Sequence, residues 1–330
     1  MPKIWVAGEF SHFYLAVDLF FMLSGFVIAF AYEKRLQRGL SAKEFLLIRC
    51  IRLYPLYIFG TLIGIASGIG AYLMGKGNLS FHDLVISIPT ALFMLPSPIA
   101  NTDAGLVPLN PPAWSLLFEL LMNFCYALFL LPVINKNDRA IVALSAIGLV
   151  ATDLHLHSLH TGMTWPTIQY GAARSVFPYC FGILLFRTSS SRQTHTVWAY
   201  ALPFSVLLIF MGHGGRPEIT EMGGILFAFP AIVAAGARFD VPRPGLFTLL
   251  GTASYAIYVT SVPVITVISR VLHTLHINDA TLRPWFGCAV IVGLLALAYL
   301  LDGYDRRARQ MLKEKFAFLK SDRLTRPSPQ

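Results

Sequence analysis

The chain has 330 residues, of which 55% are hydrophobic and only 13% charged, and its mean hydropathy is +0.62. A water-soluble globular domain is about half apolar and a quarter charged, so this composition describes a chain built for lipid. The net charge of +9 does not indicate nucleic-acid binding, because the basic residues stand in short loops between apolar runs and in the C-terminal tail.

A helix needs about 20 apolar residues to cross the hydrocarbon core. By that measure the sequence predicts an all-α transmembrane bundle with about nine spans, near 13–31, 53–74, 113–134, 140–153, 172–186, 197–212, 222–237, 247–270 and 285–302. Residues 1–302 form one membrane domain and 303–330 a basic cytoplasmic tail. The first apolar run lacks a basic leader and a small-residue cleavage site, so it is read as a retained span. Cys50, Cys125, Cys180 and Cys288 stand singly, which indicates neither a disulfide framework nor a zinc site.

In the first span, Asp18 lies seven residues before Gly25 and so on about the same helix face, while Ser24 and Gly25 suit close helix packing. An ionisable group inside a membrane is costly, and each is by default a functional hypothesis. The alternative for Asp18 is a local pair near the outer interface.

Arg49 and Arg52, at i and i+3, stand where the first cytoplasmic loop becomes the second span. They can clamp phosphates bidentately, or anchor the span at the inner interface. Tyr54 and Tyr57 fit an interfacial aromatic belt and Pro55 a kink. The next apolar stretch, Leu84 to Leu95, has the length of a re-entrant or buried segment. If it does not cross, 20 of the 26 Lys and Arg fall on one side, which places the C-terminus in the cytoplasm and the N-terminus outside.

In the third span, Ser115, Glu119 and Asn123 recur every four residues and form one polar stripe. Glu119 is either a structural partner for an arginine such as Arg174 or a member of a reaction centre. His155, His157 and His160 have metal-like spacing but lie in a loop without accompanying carboxylates, so no metal is expected. His195, His213, His273 and His276 are loop residues to which no chemistry is assigned. No Walker loop, GxSxG elbow or HExxH occurs.

Five blocks in order resemble the acyltransferase-3 family of multi-span membrane acyltransferases, which includes polysaccharide O-acetylases. They are AVDLFFMLSGFVIA, the R-x-x-R of LIRCIRLYPLY, PPAWSLLFELLMNFCYALFLLP, the single arginine of AARSVFPYCFGILLFR, and GTASYAIYV. The resemblance runs from Phe13 to about Leu312 and implies transfer of an acyl group, usually acetyl from acetyl-CoA, onto a hydroxyl of a carbohydrate or other envelope molecule. It implies an enzyme of the bacterial inner membrane, with Arg49, Arg52 and Arg174 toward the acyl-CoA donor and Glu119, Asp18 and Ser115 as catalytic candidates.

Members of that family begin with a helix carrying a basic residue and, about ten residues on, a histidine; this chain starts after it, and His12 is not its equivalent. Ser261 also stands where the family usually has another histidine. The expectation is a translation start upstream of Met1, or else an inactive relative. With a histidine base out of view, Glu119, Asp18 and His12 remain for the proton. The competing readings are a transporter or flippase of an envelope precursor, and a non-catalytic membrane partner.

Overall fold

The computed structural model describes residues 13–99, 105–156, 159–189, 194–195, 204–206, 209–210, 221–240, 245–274 and 283–324. Its helices are α1 (Ala16–Gln37), α2 (Ala42–Leu73), α3 (Phe81–Leu92), α4 (Ala113–Cys125), α5 (Leu131–Leu156), α6 (Ile168–Thr188), α7 (Glu221–Gly236), α8 (Gly245–Thr274) and α9 (Arg283–Leu324). A π-helical turn, Tyr126–Leu130, joins α4 to α5, and a second, Gly224–Ala228, lies inside α7. Two two-residue strands, Thr194–His195 and Phe239–Asp240, pair in parallel.

The all-α membrane bundle read from the sequence is the fold observed. Every expected span except 197–212 coincides with helix, and that one lies largely outside the described residues. Among the described residues five helices are long and apolar enough to cross a membrane, and the apolar helices Phe81–Leu92, Ala113–Phe129 and Glu221–Gly236 are shorter. α3, with 12 residues, is about 18 Å long and cannot cross a hydrocarbon core of about 30 Å. The chain then reverses at Met94, whose φ of 55° is left-handed.

The chain divides into two compact units, each discontinuous in sequence: residues 1–45 with 114–244, and residues 46–113 with 245–330. In the first, α1, α4 and α6 run in the same direction, since Asp18 meets Arg174 near their beginnings and Glu33 meets Arg187 near their ends, with Ser24 and Glu119 between. α1 and α6 touch through glycine. A Cβ on Gly25 would lie 2.0 Å from the Tyr179 carbonyl oxygen, and one on Gly182 2.1 Å from that of Met22. Around this seam pack Ile28, Met122, Tyr126 and Ile183 on one side, and Met22, Phe177, Ile225 and Phe229 on the other.

In the second unit α3 runs back along α2. The Tyr72 and Phe81 rings lie 5.8 Å apart at its start, and the Tyr57 and Tyr54 hydroxyls donate to the carbonyls of Ala91 and Leu92 at its end. Those are carbonyls that a helix end leaves without an internal partner. The two tyrosines thus cap a buried helix end, where an interfacial belt was expected; Tyr57 is fully buried. Irregular backbone at membrane depth survives only inside protein or against water; after α3, Ser97, Ile99, Leu106, Val107 and Asn110 are buried, while Phe93, Leu95 and Pro98 are exposed. α8 closes this unit, with Tyr255 donating to the Leu53 carbonyl and Tyr258 to that of Pro112.

Two boundaries differ from expectation. α2 begins at Ala42 instead of about residue 53, and α9 continues without a break from the apolar segment through the basic tail to Leu324. Hydropathy marks the lipid-facing part of a helix, while polar turns beyond it remain helical in water.

Candidate functional site

The first unit carries ionised and polar side chains where an apolar core would be the default, and they fall into three levels along α1. At one end Arg174 is fully buried on α6. Its guanidinium grips Asp18 of α1 with a fork, Nε to Oδ1 at 3.2 Å and Nη2 to Oδ2 at 2.5 Å. Nη1 also donates to the Thr161 carbonyl at 2.8 Å, and Nη2 to that of Tyr14 at 3.2 Å. The Tyr14 and Trp114 rings lie 5.9 and 5.8 Å from its central carbon. A planar fork with several fixed donors suits arginine and no other cation.

Glu221, at the start of α7 and 2% exposed, joins the same level. One of its oxygens accepts from the Tyr14 hydroxyl, and the other accepts from the Leu159 backbone N–H at 2.9 Å.

At the middle level lies the stripe of α4. Ser115, Glu119 and Asn123 are all buried, at 0, 1 and 0% exposure, so the four-residue spacing does place them on one inward face. The Ser24 hydroxyl donates to Glu119 Oε1 at 3.0 Å, and the Tyr179 hydroxyl donates to Asn123 Oδ1 at 2.9 Å. The Asn123 amide nitrogen is buried without a hydrogen-bond partner among the described residues. At the far end Glu33 accepts from Tyr126 at 3.0 Å and from Arg187 Nε at 3.2 Å.

These contacts redistribute the expected roles. Arg174 pairs with Asp18 and not with Glu119, and its donors are turned inward to Asp18, Thr161 and Tyr14. Arg174 thus binds α1 and the loop before α6, and these contacts give no support to the expectation that it faces a donor phosphate. Asp18 is correspondingly held by that arginine. Glu119 and Ser115 remain together in the interior.

The sequence reading passed over Glu221, Tyr14, Glu33 and Arg187. The available signal was a lone carboxylate or guanidinium at the edge of each apolar run, which looks like an interfacial residue until helix register shows what it meets.

In the second unit Arg49 is 4% exposed on α2, whereas Arg52, one turn later, is exposed. Asp305 of α9 lies within electrostatic reach of Arg52 and also accepts from Arg309 Nε at 2.9 Å. The two arginines therefore differ in setting, one inside the unit and one open to solvent. Among the described residues no group of three or more His, Cys, Asp or Glu is placed to hold a metal ion. His12, His157, His213 and His276 lie outside the described residues.

The family model described as "Acyltransferase domain", of the acyltransferase-3 type, matches residues 3–303. A relative from Rhizobium radiobacter, "Protein 2 in picA locus", is 38% identical over 146 residues, which are 42% of this chain and 76% of the relative. No solved structure matches the chain. A buried polar stripe inside a multi-helix membrane protein, within a family match that spans nearly the whole chain, leads to one assignment: the chain belongs to the acyltransferase-3 family and is a membrane acyltransferase.

Proposed function

We propose that the chain transfers an acyl group, acetyl in the first instance, from acyl-CoA to a hydroxyl of a carbohydrate or other envelope molecule, in the bacterial inner membrane with its C-terminus in the cytoplasm. The observation that carries this reading is the buried stripe of Ser115, Glu119 and Asn123 on a membrane helix, with Ser24 bonded to the carboxylate. Ionisable and amide groups at such depth are expensive unless they serve a path or a reaction. The chemistry is ester formation: the acceptor oxygen attacks the thioester carbonyl carbon, the carbon–sulfur bond breaks, and the hydroxyl proton ends on the departing thiol.

Arg49 and Arg52 are the candidates for the 3′-phosphate and pyrophosphate of the donor, because guanidiniums bind phosphate oxygens with two parallel hydrogen bonds. The excess of Lys and Arg on their side supports placing them toward the cytoplasm, where acyl-CoA is made. The deciding experiment supplies radiolabelled acetyl-CoA to membranes containing the chain and follows label into envelope glycans and CoA into solution. Label transfer by the wild type, reduced at least tenfold in Glu119→Gln, is the expected result. Absence of both transfer and CoA release would remove the reading.

A further inference from the structure

Asn123 brings the only side-chain nitrogen to the polar stripe of α4, and the described residues satisfy one end of its amide. The residue is fully buried. Its Oδ1 accepts from the Tyr179 hydroxyl of α6 at 2.9 Å, which turns Nδ2 the other way. Nδ2 carries two N–H groups and has no hydrogen-bond partner among the described residues. A buried amide donor that meets no acceptor gives up its water for nothing in return, and native interiors keep few of them.

The amide is also held in place. Tyr179 is at 0% exposure, and its backbone carbonyl lies 2.0 Å from where a Cβ on Gly25 of α1 would be, so the α1–α6 seam fixes the phenol that orients Asn123. A group that only donates is matched by one that only accepts. In the proposed reaction that atom is the carbonyl oxygen of the acyl group, which gains negative charge when its carbon is attacked. A fixed, water-excluded N–H is the kind of donor that holds such a charge.

Position along the stripe agrees. Asn123 lies one turn beyond Glu119 on the same inward face, toward Tyr126, whose hydroxyl donates to Glu33 at the far end of α1. In the orientation proposed above this is the cytoplasmic direction. A thioester entering from that side meets Asn123 first, and an acceptor entering from outside meets Ser115 and Glu119.

We infer that Asn123 Nδ2 binds the carbonyl oxygen of the acyl group and carries its charge in the transition state. The acceptor oxygen attacks the carbonyl carbon, the π electron pair moves onto the carbonyl oxygen, and Nδ2–H holds the oxyanion so formed. As the carbonyl re-forms, the carbon–sulfur bond breaks, its electron pair leaves on sulfur, and the acceptor's proton ends on the thiol. Asn123 gives hydrogen bonds and no proton. This inference rests on the acyl transfer proposed above and adds the group that stabilises its oxyanion.

The test uses the full chain in vesicles containing envelope glycans of the producing cells, with radiolabelled acetyl-CoA. Asn123→Leu keeps the volume and removes the N–H. It is expected to slow glycan labelling about a hundredfold or more, with the KM for acetyl-CoA changed less than threefold. Its unfolding midpoint in detergent is measured alongside, to separate lost chemistry from lost fold. Binding of two unreactive analogues to the purified chain gives a reading without turnover. The ketone in which a methylene replaces the thioester sulfur keeps the carbonyl, and S-ethyl-CoA lacks it. The wild type is expected to bind the ketone about fivefold more tightly, as one hydrogen bond between neutral groups provides, and Asn123→Leu is expected to show no preference.

Labelling that survives in Asn123→Leu above a tenth of the wild-type rate overturns the inference alone. So does equal affinity of the wild type for the two analogues, which would leave the amide to a buried water. If the wild type neither labels glycans nor binds either analogue, the acyl-transfer reading falls, and this inference with it.

Discussion

Arg174 shows what a single side chain can and cannot reveal before the fold is known. Its cost inside a membrane span is legible from sequence, as is that of Asp18, but their pairing depends on α1 and α6 running side by side in the same direction, which composition does not encode. Removing one partner leaves the other charge buried and alone. Arg174→Ala is therefore expected to destabilise the protein by about 3–5 kcal/mol, read as a lowered unfolding midpoint in detergent. Replacing both residues with apolar ones, Asp18→Leu with Arg174→Met, is expected to recover most of that loss while leaving the Tyr14 and Thr161 carbonyls without the arginine that holds them. If Arg174→Ala melts like the wild type, the fork is not a stabilising contact.

The other arginines pose a different residue-scale question. The i, i+3 spacing of Arg49 and Arg52 suggests twin phosphate ligands, yet one is buried and the other exposed. If both hold the donor, Arg49→Ala and Arg52→Ala each weaken acyl-CoA binding by about ten- to a hundredfold, since a charge-assisted hydrogen bond is worth about 1.5–3 kcal/mol. Equilibrium binding of a fluorescent acyl-CoA to the purified chain measures this. Unchanged affinity in both would return them to anchoring α2.

At the scale of elements, the α1–α6 seam explains why Ser24 and Gly25 stand beside Asp18. Small residues let two membrane helices approach backbone to backbone, where dispersion contacts replace the hydrophobic drive that lipid removes. The sequence offers many glycines, and only geometry separates those that a neighbour presses on from those that face open space. Gly25→Ala and Gly182→Ala place a methyl into a carbonyl on the opposite helix. Each is expected to cost about 1–3 kcal/mol or more through overpacking.

Gly70, in α2, has nothing within 4 Å of where a Cβ would be. Gly70→Ala is expected to be neutral or to stabilise by up to about 1 kcal/mol, because alanine favours the helix. Thermal melting of the three variants compares them directly, and equal effects at Gly25 and Gly70 would contradict the seam. The same scale accounts for the misplaced helix ends: α2 and α9 extend into charged turns that an apolar window does not register.

For the whole molecule, the direction of the helices and the distribution of charge bear on one quantity, the number of crossings between α1 and α4. These two helices run parallel, so the chain between them must return an odd number of times. α2, with 32 residues, is long and apolar enough for one return, and α3, with 12, is too short to be another crossing. This agrees with the reading that Leu84 to Leu95 enters the membrane and does not leave by the other face.

A cysteine-free background with single exposed cysteines tests it in intact cells and in inverted vesicles. Lys76→Cys, between α2 and α3, and Gln169→Cys, at the start of α6, are expected to react with a membrane-impermeant maleimide from the outside. Arg38→Cys and Lys313→Cys are expected to react only in inverted vesicles. If α3 and its loop formed a further crossing, Gln169→Cys would react from the same side as Arg38→Cys.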